Sequence, residues 1–152
     1  MRRREFLQSA GTLASAPLFI PASALGRQGV VAPGNRITLG VIGTGNQGTG
    51  DMLNFLGDKR VQVVAVCDVN RETPGYWDGA IAGREPARVQ VEWHYARDKR
   101  AGLYKGCTAY EDFREVIARK DIDALLIAVP DHWHSIPVIE AARAGKDIYG
   151  EK

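Results

Sequence analysis

Apolar residues alternate along this chain between two rhythms. Ile37–Ile42, Val61–Val69 and Asp123–Val129 are short and rich in Val, Ile, Leu and Ala, and the shorter Cys107–Tyr110 and Lys146–Gly150 read as two further strands. That is the pattern of strands buried on both faces. Between them lie segments with helical spacing. Met52, Phe55 and Leu56 share a face within Thr49–Leu56, which Gly57-Asp58 ends; Arg84–Ala96 reads as a second helix. Phe113, Val116 and Ile117 mark a third, and Ser135–Ala144 a fourth, with Pro137 in its first turn and Gly145 past its end. Asn70–Gly83, rich in Gly, Pro and Asp and carrying Tyr76 and Trp77, reads as an inserted loop. Strand and helix in such alternation predict an α/β fold: an open, doubly wound parallel sheet with right-handed crossovers. The strand order would be 3-2-1-4-5, with ligands over the strand C-termini at the switch between strands 1 and 4. A sixth strand is expected beyond Lys152.

At 152 residues, with 45% hydrophobic and 25% charged side chains, the composition is that of one ordinary globular domain. The net charge of +2 resides in Arg2, Arg3, Arg4 and Glu5; the rest of the chain balances at 17 basic against 17 acidic residues. A neutral body argues against nucleic acid as a partner. The opening M-R-R-R-E-F-L, the weakly apolar Ala10–Ile20 and the small-residue site Ala22-Ser23-Ala24 compose a twin-arginine export signal over residues 1–24. The apolar stretch contains Pro17 and is too short for the roughly 20 residues that span a bilayer, so no stable membrane anchor is expected. Residues 25–35 form a linker, residues 36–152 the folded domain, and the location is periplasmic. In an oxidising compartment Cys67 and Cys107 could pair on neighbouring strands, or each could pack as a small hydrophobe.

The chemistry begins where the first strand breaks. Gly43, Gly45 and Gly48 stand in G-T-G-N-Q-G, spaced G-x-G-x-x-G after a strand and before a helix. Such glycines permit a sharp turn, close approach of a pyrophosphate and close helix packing, with the helix N-terminus facing the phosphates. Gly43, Thr44, Gly45, Asn46, Gln47 and Gly48 are thereby candidates for dinucleotide contact. Asp68, twenty residues after Gly48 at the end of the second strand, would accept from the adenosine ribose hydroxyls and repel a 2′-phosphate. NAD is favoured over NADP, although Arg71 lies near enough in sequence to reverse that preference. A methyltransferase that binds S-adenosylmethionine shares the same two features, and the fourth-strand exit discriminates between them.

That exit reads A-V-P-D-H-W-H-S, and D-I-Y-G-E-K closes the chain. With the first strand and C-D-V-N, these segments resemble the glucose-fructose oxidoreductase, inositol dehydrogenase and rhizopine-catabolism family over Arg36 to Lys152. The resemblance implies a Rossmann domain followed by a C-terminal α/β domain that forms the substrate cleft and, with it, a homo-oligomer. It also implies that Pro130, His132, Trp133 and His134 line the nicotinamide side. Glu151-Lys152 matches the start of the family's Glu-Lys-Pro motif, whose lysine lies beside the reacting carbon, so Lys152 is the catalytic candidate and Glu151 a cofactor neighbour. His132 and His134 as a pair make a poor ligand set, and no metal site is expected.

Together these readings point to an exported NAD-dependent oxidoreductase acting on a sugar, cyclitol or glycoside hydroxyl. Cofactor loaded before export must stay bound for hours; with association near 10⁶ M⁻¹s⁻¹, that requires a Kd on the order of 10⁻¹⁰ M. Retention favours closed redox cycles, so an NAD-dependent glycoside hydrolase working through transient oxidation is the alternative. A non-catalytic NAD- or sugar-binding protein is the third. Without the C-terminal proton-transfer partner, the 152 residues alone are expected to be inactive.

Overall fold

The computed structural model describes residues 31–75, 79–97 and 104–151; residues 1–24, where the sequence predicts an export signal, and Tyr76, Trp77 and Lys152 lie outside the described residues. From residue 34 onward the chain forms one contact unit. Its centre is β1 (Ile37–Ile42), whose last four residues are buried. β2 (Val61–Cys67) lies parallel on one side of it and β6 (Ala124–Ile127) on the other. β5 (Thr108–Tyr110) and β7 (Asp147–Gly150) complete a five-stranded parallel sheet in the order β5-β2-β1-β6-β7. This is the predicted 3-2-1-4-5 order.

Alternation along each strand sends successive side chains to opposite faces. Leu39, Val41, Val63 and Leu126 pack with Met52 and Leu56 of α1 (Asn46–Leu56) and with Val91 of α2 (Arg84–Ala96). Val64, Ala65, Leu125 and Ile127 pack on the other face with Val116 of α3 (Phe113–Ile117) and Ala141 of α4 (Asp131–Arg143). The sheet is therefore doubly wound. Cys107 belongs to the first core and Cys67 to the second, both as free thiols, and burial pushes each up to about 12. Of the two sequence alternatives, the small buried hydrophobe is the one realised.

β2, β5, β6 and β7 are trimmed by a residue or two from the expected ranges, and larger differences fall at two helix starts and in the insertion. α1 starts at Asn46 rather than Thr49, so Gly48 sits inside its first turn. α4 starts at Asp131 rather than Ser135, which puts Asp-His-Trp-His in the helix and moves Pro137 out of the first turn. Its C-terminus is as anticipated: Gly145 takes φ +71, and the Gly145 and Lys146 amides donate back to the Ala142 and Ala141 carbonyls. The insertion is not all loop, since Thr73–Pro74 (β3) and Ile81–Ala82 (β4) pair as a short antiparallel hairpin.

Candidate dinucleotide site

The glycine turn occupies the C-terminal edge of the sheet, where β1 hands over to α1. Gly43 has φ +88, and a Cβ there would lie 2.2 Å from the Ala128 carbonyl oxygen, so both conformation and space demand glycine. Its amide donates to the Cys67 carbonyl at 2.8 Å, tying the turn to the exit of β2. A Cβ on Gly48 would fall 2.0 Å from the Gly43 carbonyl oxygen, so the third glycine lets the first turn of α1 press onto the strand exit. Gly45 is different. Its φ is −72, and a Cβ there would meet no protein atom within 4 Å. The protein gives no packing reason for that glycine. Gly45 is the N-cap of α1 and lays no side chain over the first amides of the helix, which leaves a cradle of the kind that takes a phosphate. The residues present fit a pyrophosphate.

Asp68 stands just past β2 and faces this turn. Its Oδ2 accepts from the Thr44 amide at 2.8 Å, with the Thr44 hydroxyl at 3.4 Å, and its Oδ1 accepts from the Asn70 amide at 2.9 Å. A carboxylate has about four acceptor positions, so the anchored group keeps capacity for ribose hydroxyls. Thr44 is fully buried, and its carbonyl accepts from the Thr49 hydroxyl and from the Gly83 amide, both at 3.1 Å.

Two contributors to this rim escaped sequence reasoning. Arg84 donates through Nη1 to the carbonyls of Asp68 (3.0 Å) and Val69 (2.9 Å), and through Nη2 to Glu111 (2.8 Å). Arg71, the cation singled out from sequence, is exposed, and its carbonyl accepts from the Glu85 amide. The hairpin also reaches the turn: a Cβ on Gly75 would lie 2.8 Å from Asn46 Oδ1. Only an insertion that folds back on its own origin makes these contacts, and no local motif encodes that.

The second half of the site is the start of α4. Val129 lies beside the glycine turn, its Cγ1 3.1 Å from a Cβ built on Gly43. Pro130 is the N-cap, and its carbonyl accepts from the Trp133 amide at 2.8 Å. His132 is exposed and Trp133 half exposed, while His134 is partly buried with Nε2 3.2 Å from the Glu151 carbonyl oxygen. Two residues apart on a helix, the histidines point to different sides. Among the described residues no cluster of three or more His, Cys, Asp or Glu side chains gathers as metal ligands, and no helix is long and apolar enough to cross a membrane.

A parallel doubly wound sheet with this glycine turn at its switch point and a carboxylate at the neighbouring strand end is a dinucleotide-binding Rossmann domain. Residues 82–152 match the model of an oxidoreductase family with an NAD-binding Rossmann fold, in line with the resemblance read from the sequence. A glycosyl hydrolase family 109 protein of Shewanella sp. (strain ANA-3) is 32% identical over 81% of this chain and 24% of its own length. An alpha-N-acetylgalactosaminidase of Shewanella oneidensis is 27% identical over 99% of this chain and 33% of its own. The myo-inositol dehydrogenase of Lactobacillus casei, solved with NAD(H) and myo-inositol, superposes with a TM-score of 0.55 at 24% identity, over 77% of this chain and 28% of that one. The chain thus spans about a quarter to a third of the relatives it matches.

Proposed function

We propose that the full-length protein is an exported NAD-dependent oxidoreductase acting on a sugar, cyclitol or glycoside hydroxyl. The observation that carries the NAD reading is the Asp68 carboxylate, anchored by the Thr44 and Asn70 amides at the rim of the glycine turn. The nearby Arg84 guanidinium supports the preference for NAD over NADP, because two carbonyls and Glu111 already engage it and turn it away from a 2′-phosphate. The first turn of α1 would hold the pyrophosphate, Asp68 the ribose, and Pro130, His132 and Trp133 the nicotinamide side. NAD, when bound, supplies a hydride acceptor at nicotinamide C4. Lys152, the residue after the β7 exit, would take the proton of the reacting hydroxyl or stabilise charge on its oxygen, a role worth roughly 10²- to 10⁴-fold in rate. Carbohydrate turnover in the periplasm and assembly through a C-terminal domain complete this reading.

The glycosyl hydrolase relatives favour a second reading, in which oxidation is transient and the net reaction is glycoside cleavage. One experiment separates the two. The full-length protein is incubated with cyclitols, free sugars and N-acetylhexosaminides while nicotinamide absorbance near 340 nm and released sugar are followed. Net cofactor reduction supports the oxidoreductase; sugar release with no net reduction supports the hydrolase. Tight NAD binding with neither signal on any compound would overturn both in favour of a binding protein.

A further inference from the structure

The β7 exit is held from an unexpected direction. Past Gly150 the strand makes one more ladder bond, from the Glu151 amide to the Ile127 carbonyl at 2.9 Å. β6 ends at Ile127, so its pairing with β7 stops there. The next anchor comes from α4: His134 Nε2 lies 3.2 Å from the Glu151 carbonyl oxygen. The ring also rests against the strand, since a Cβ added to Gly150 would meet His134 Cε1 at 3.2 Å and Nε2 at 3.7 Å. A carbonyl oxygen only accepts, so Nε2 carries the proton in this contact.

We infer that His134 is a positioning residue that fixes the Glu151 carbonyl, and through it the direction in which the chain delivers Lys152. The inference rests on the reading of Lys152 as the proton-transfer group. The Glu151 carbonyl carbon is bonded to the Lys152 nitrogen, and a peptide unit is planar. Holding the Glu151 amide at Ile127 and its carbonyl at His134 therefore fixes the plane of the peptide unit that leads into the next residue. Proton transfer needs heavy atoms within about 3 Å, and a displacement of about 1 Å costs roughly 10²-fold. The start of α4 thus acts on the chemistry by aiming the neighbouring strand exit. His134 need not touch the nicotinamide.

The test uses the full-length protein in three forms: parent, His134→Leu, which keeps bulk and loses the donor, and His134→Gln, whose amide N–H reaches about as far as Nε2. In cofactor-free protein, amide exchange over residues 148–152 should accelerate about tenfold in His134→Leu and return toward the parent in His134→Gln. With a sugar that reduces the bound NAD, kcat should fall about 10- to 100-fold in His134→Leu with NAD affinity within about twofold of the parent, and recover in His134→Gln. Should His134→Leu fail to fold, His134→Asn, too short to reach, replaces it. Unchanged exchange in the donorless variant overturns the inference, as does NAD affinity that falls in step with kcat. Lys152→Ala is the separate control. If it keeps full turnover, the reading of Lys152 is wrong, whereas a dead Lys152→Ala beside an unimpaired His134→Leu removes this inference alone.

Discussion

Two glycines of the turn, Gly45 and Gly48, should separate stability from binding when each is replaced by alanine. Gly45→Ala puts a methyl group where no protein atom lies within 4 Å, on a backbone whose φ of −72 suits any residue. Reduced freedom of the unfolded chain favours the variant by about 0.4–1 kcal/mol, and the weaker N-cap opposes it by a similar amount. The melting temperature should stay within about 4 °C of the parent. Gly48→Ala instead forces a Cβ to 2.0 Å from the Gly43 carbonyl oxygen, so the first turn of α1 must lift off the strand exit. Overpacking of that kind costs about 1–3 kcal/mol, or roughly 3–10 °C. Binding should rank them otherwise. A phosphate lifted from one backbone N–H loses about 1.5–3 kcal/mol, so Gly45→Ala should weaken NAD about 10- to 150-fold despite its intact fold. Calorimetric titration of cofactor-stripped full-length protein, beside thermal unfolding, reads both quantities. Parental NAD affinity in Gly45→Ala would refute the placement of the pyrophosphate, and a melting temperature as low as that of Gly48→Ala would refute the reading of open space.

Four further outcomes follow from named groups. The full-length protein should bind NAD more tightly than NADP, with Asp68→Ala narrowing the gap about 10- to 100-fold; tighter NADP binding by the parent would shift the ribose role to Arg71 or Arg84. Cys67 and Cys107, whose thiols are pushed up to about 12 by burial, should resist iodoacetamide at pH 8 and label only in denaturant, as mass spectrometry would show; native labelling within minutes would contradict their place in the core. The Thr38 amide holds the Asp123 carboxyl below the usual carboxylate range, so its contribution is complete above that range and fades as pH falls through the folded-state value. Asp123→Asn should therefore flatten the acid limb of a melting-temperature profile, and an unchanged limb would discount the pair. Arg3→Lys with Arg4→Lys should retain the precursor in the cytoplasm by cell fractionation, and unchanged export would make the paired arginines incidental.

Sequence pattern located elements well where they bury side chains and poorly where they do not. α2 runs over Arg84–Ala96 as read, because Ala87 and Val91 face the core and Gly83 punctuates its start. The first turn of α4 was invisible for the opposite reason. From Asp131 to Ile136 no residue is buried, and Pro137 is the first that is. Periodicity registers a helix only through what it buries, so a turn whose side chains remain at a site edge reads as loop. The early start of α1 has the same cause, since Gly48 is the only buried residue among Asn46, Gln47, Gly48 and Thr49 and has no side chain to reveal it. Two-residue strands such as β3 and β4 are too short to show alternation at all.

The pairing of Asp68 with the glycine turn could be read from spacing even though a long insertion follows it, and the backbone explains why. The Arg84 amide donates to the Asn70 carbonyl and the Glu85 amide to the Arg71 carbonyl, both at 3.1 Å, so the chain leaves after Arg71 and returns beside the point of departure. Gly83 makes the return possible: it has φ +117, and a Cβ there would lie 2.8 Å from the Arg71 carbonyl oxygen. α2 therefore begins against the β2 exit, and Asp68 keeps its place beside Thr44. What spacing could not supply is the group that closes the loop. The Arg84 guanidinium bridges the carbonyls of Asp68 and Val69 across 16 residues of sequence, and that closure exists only once the hairpin has folded. The insertion thus passes close to Asn46 at Gly75 and is tied to Thr44 through the Gly83 amide, while the short-range motif that precedes it survives intact.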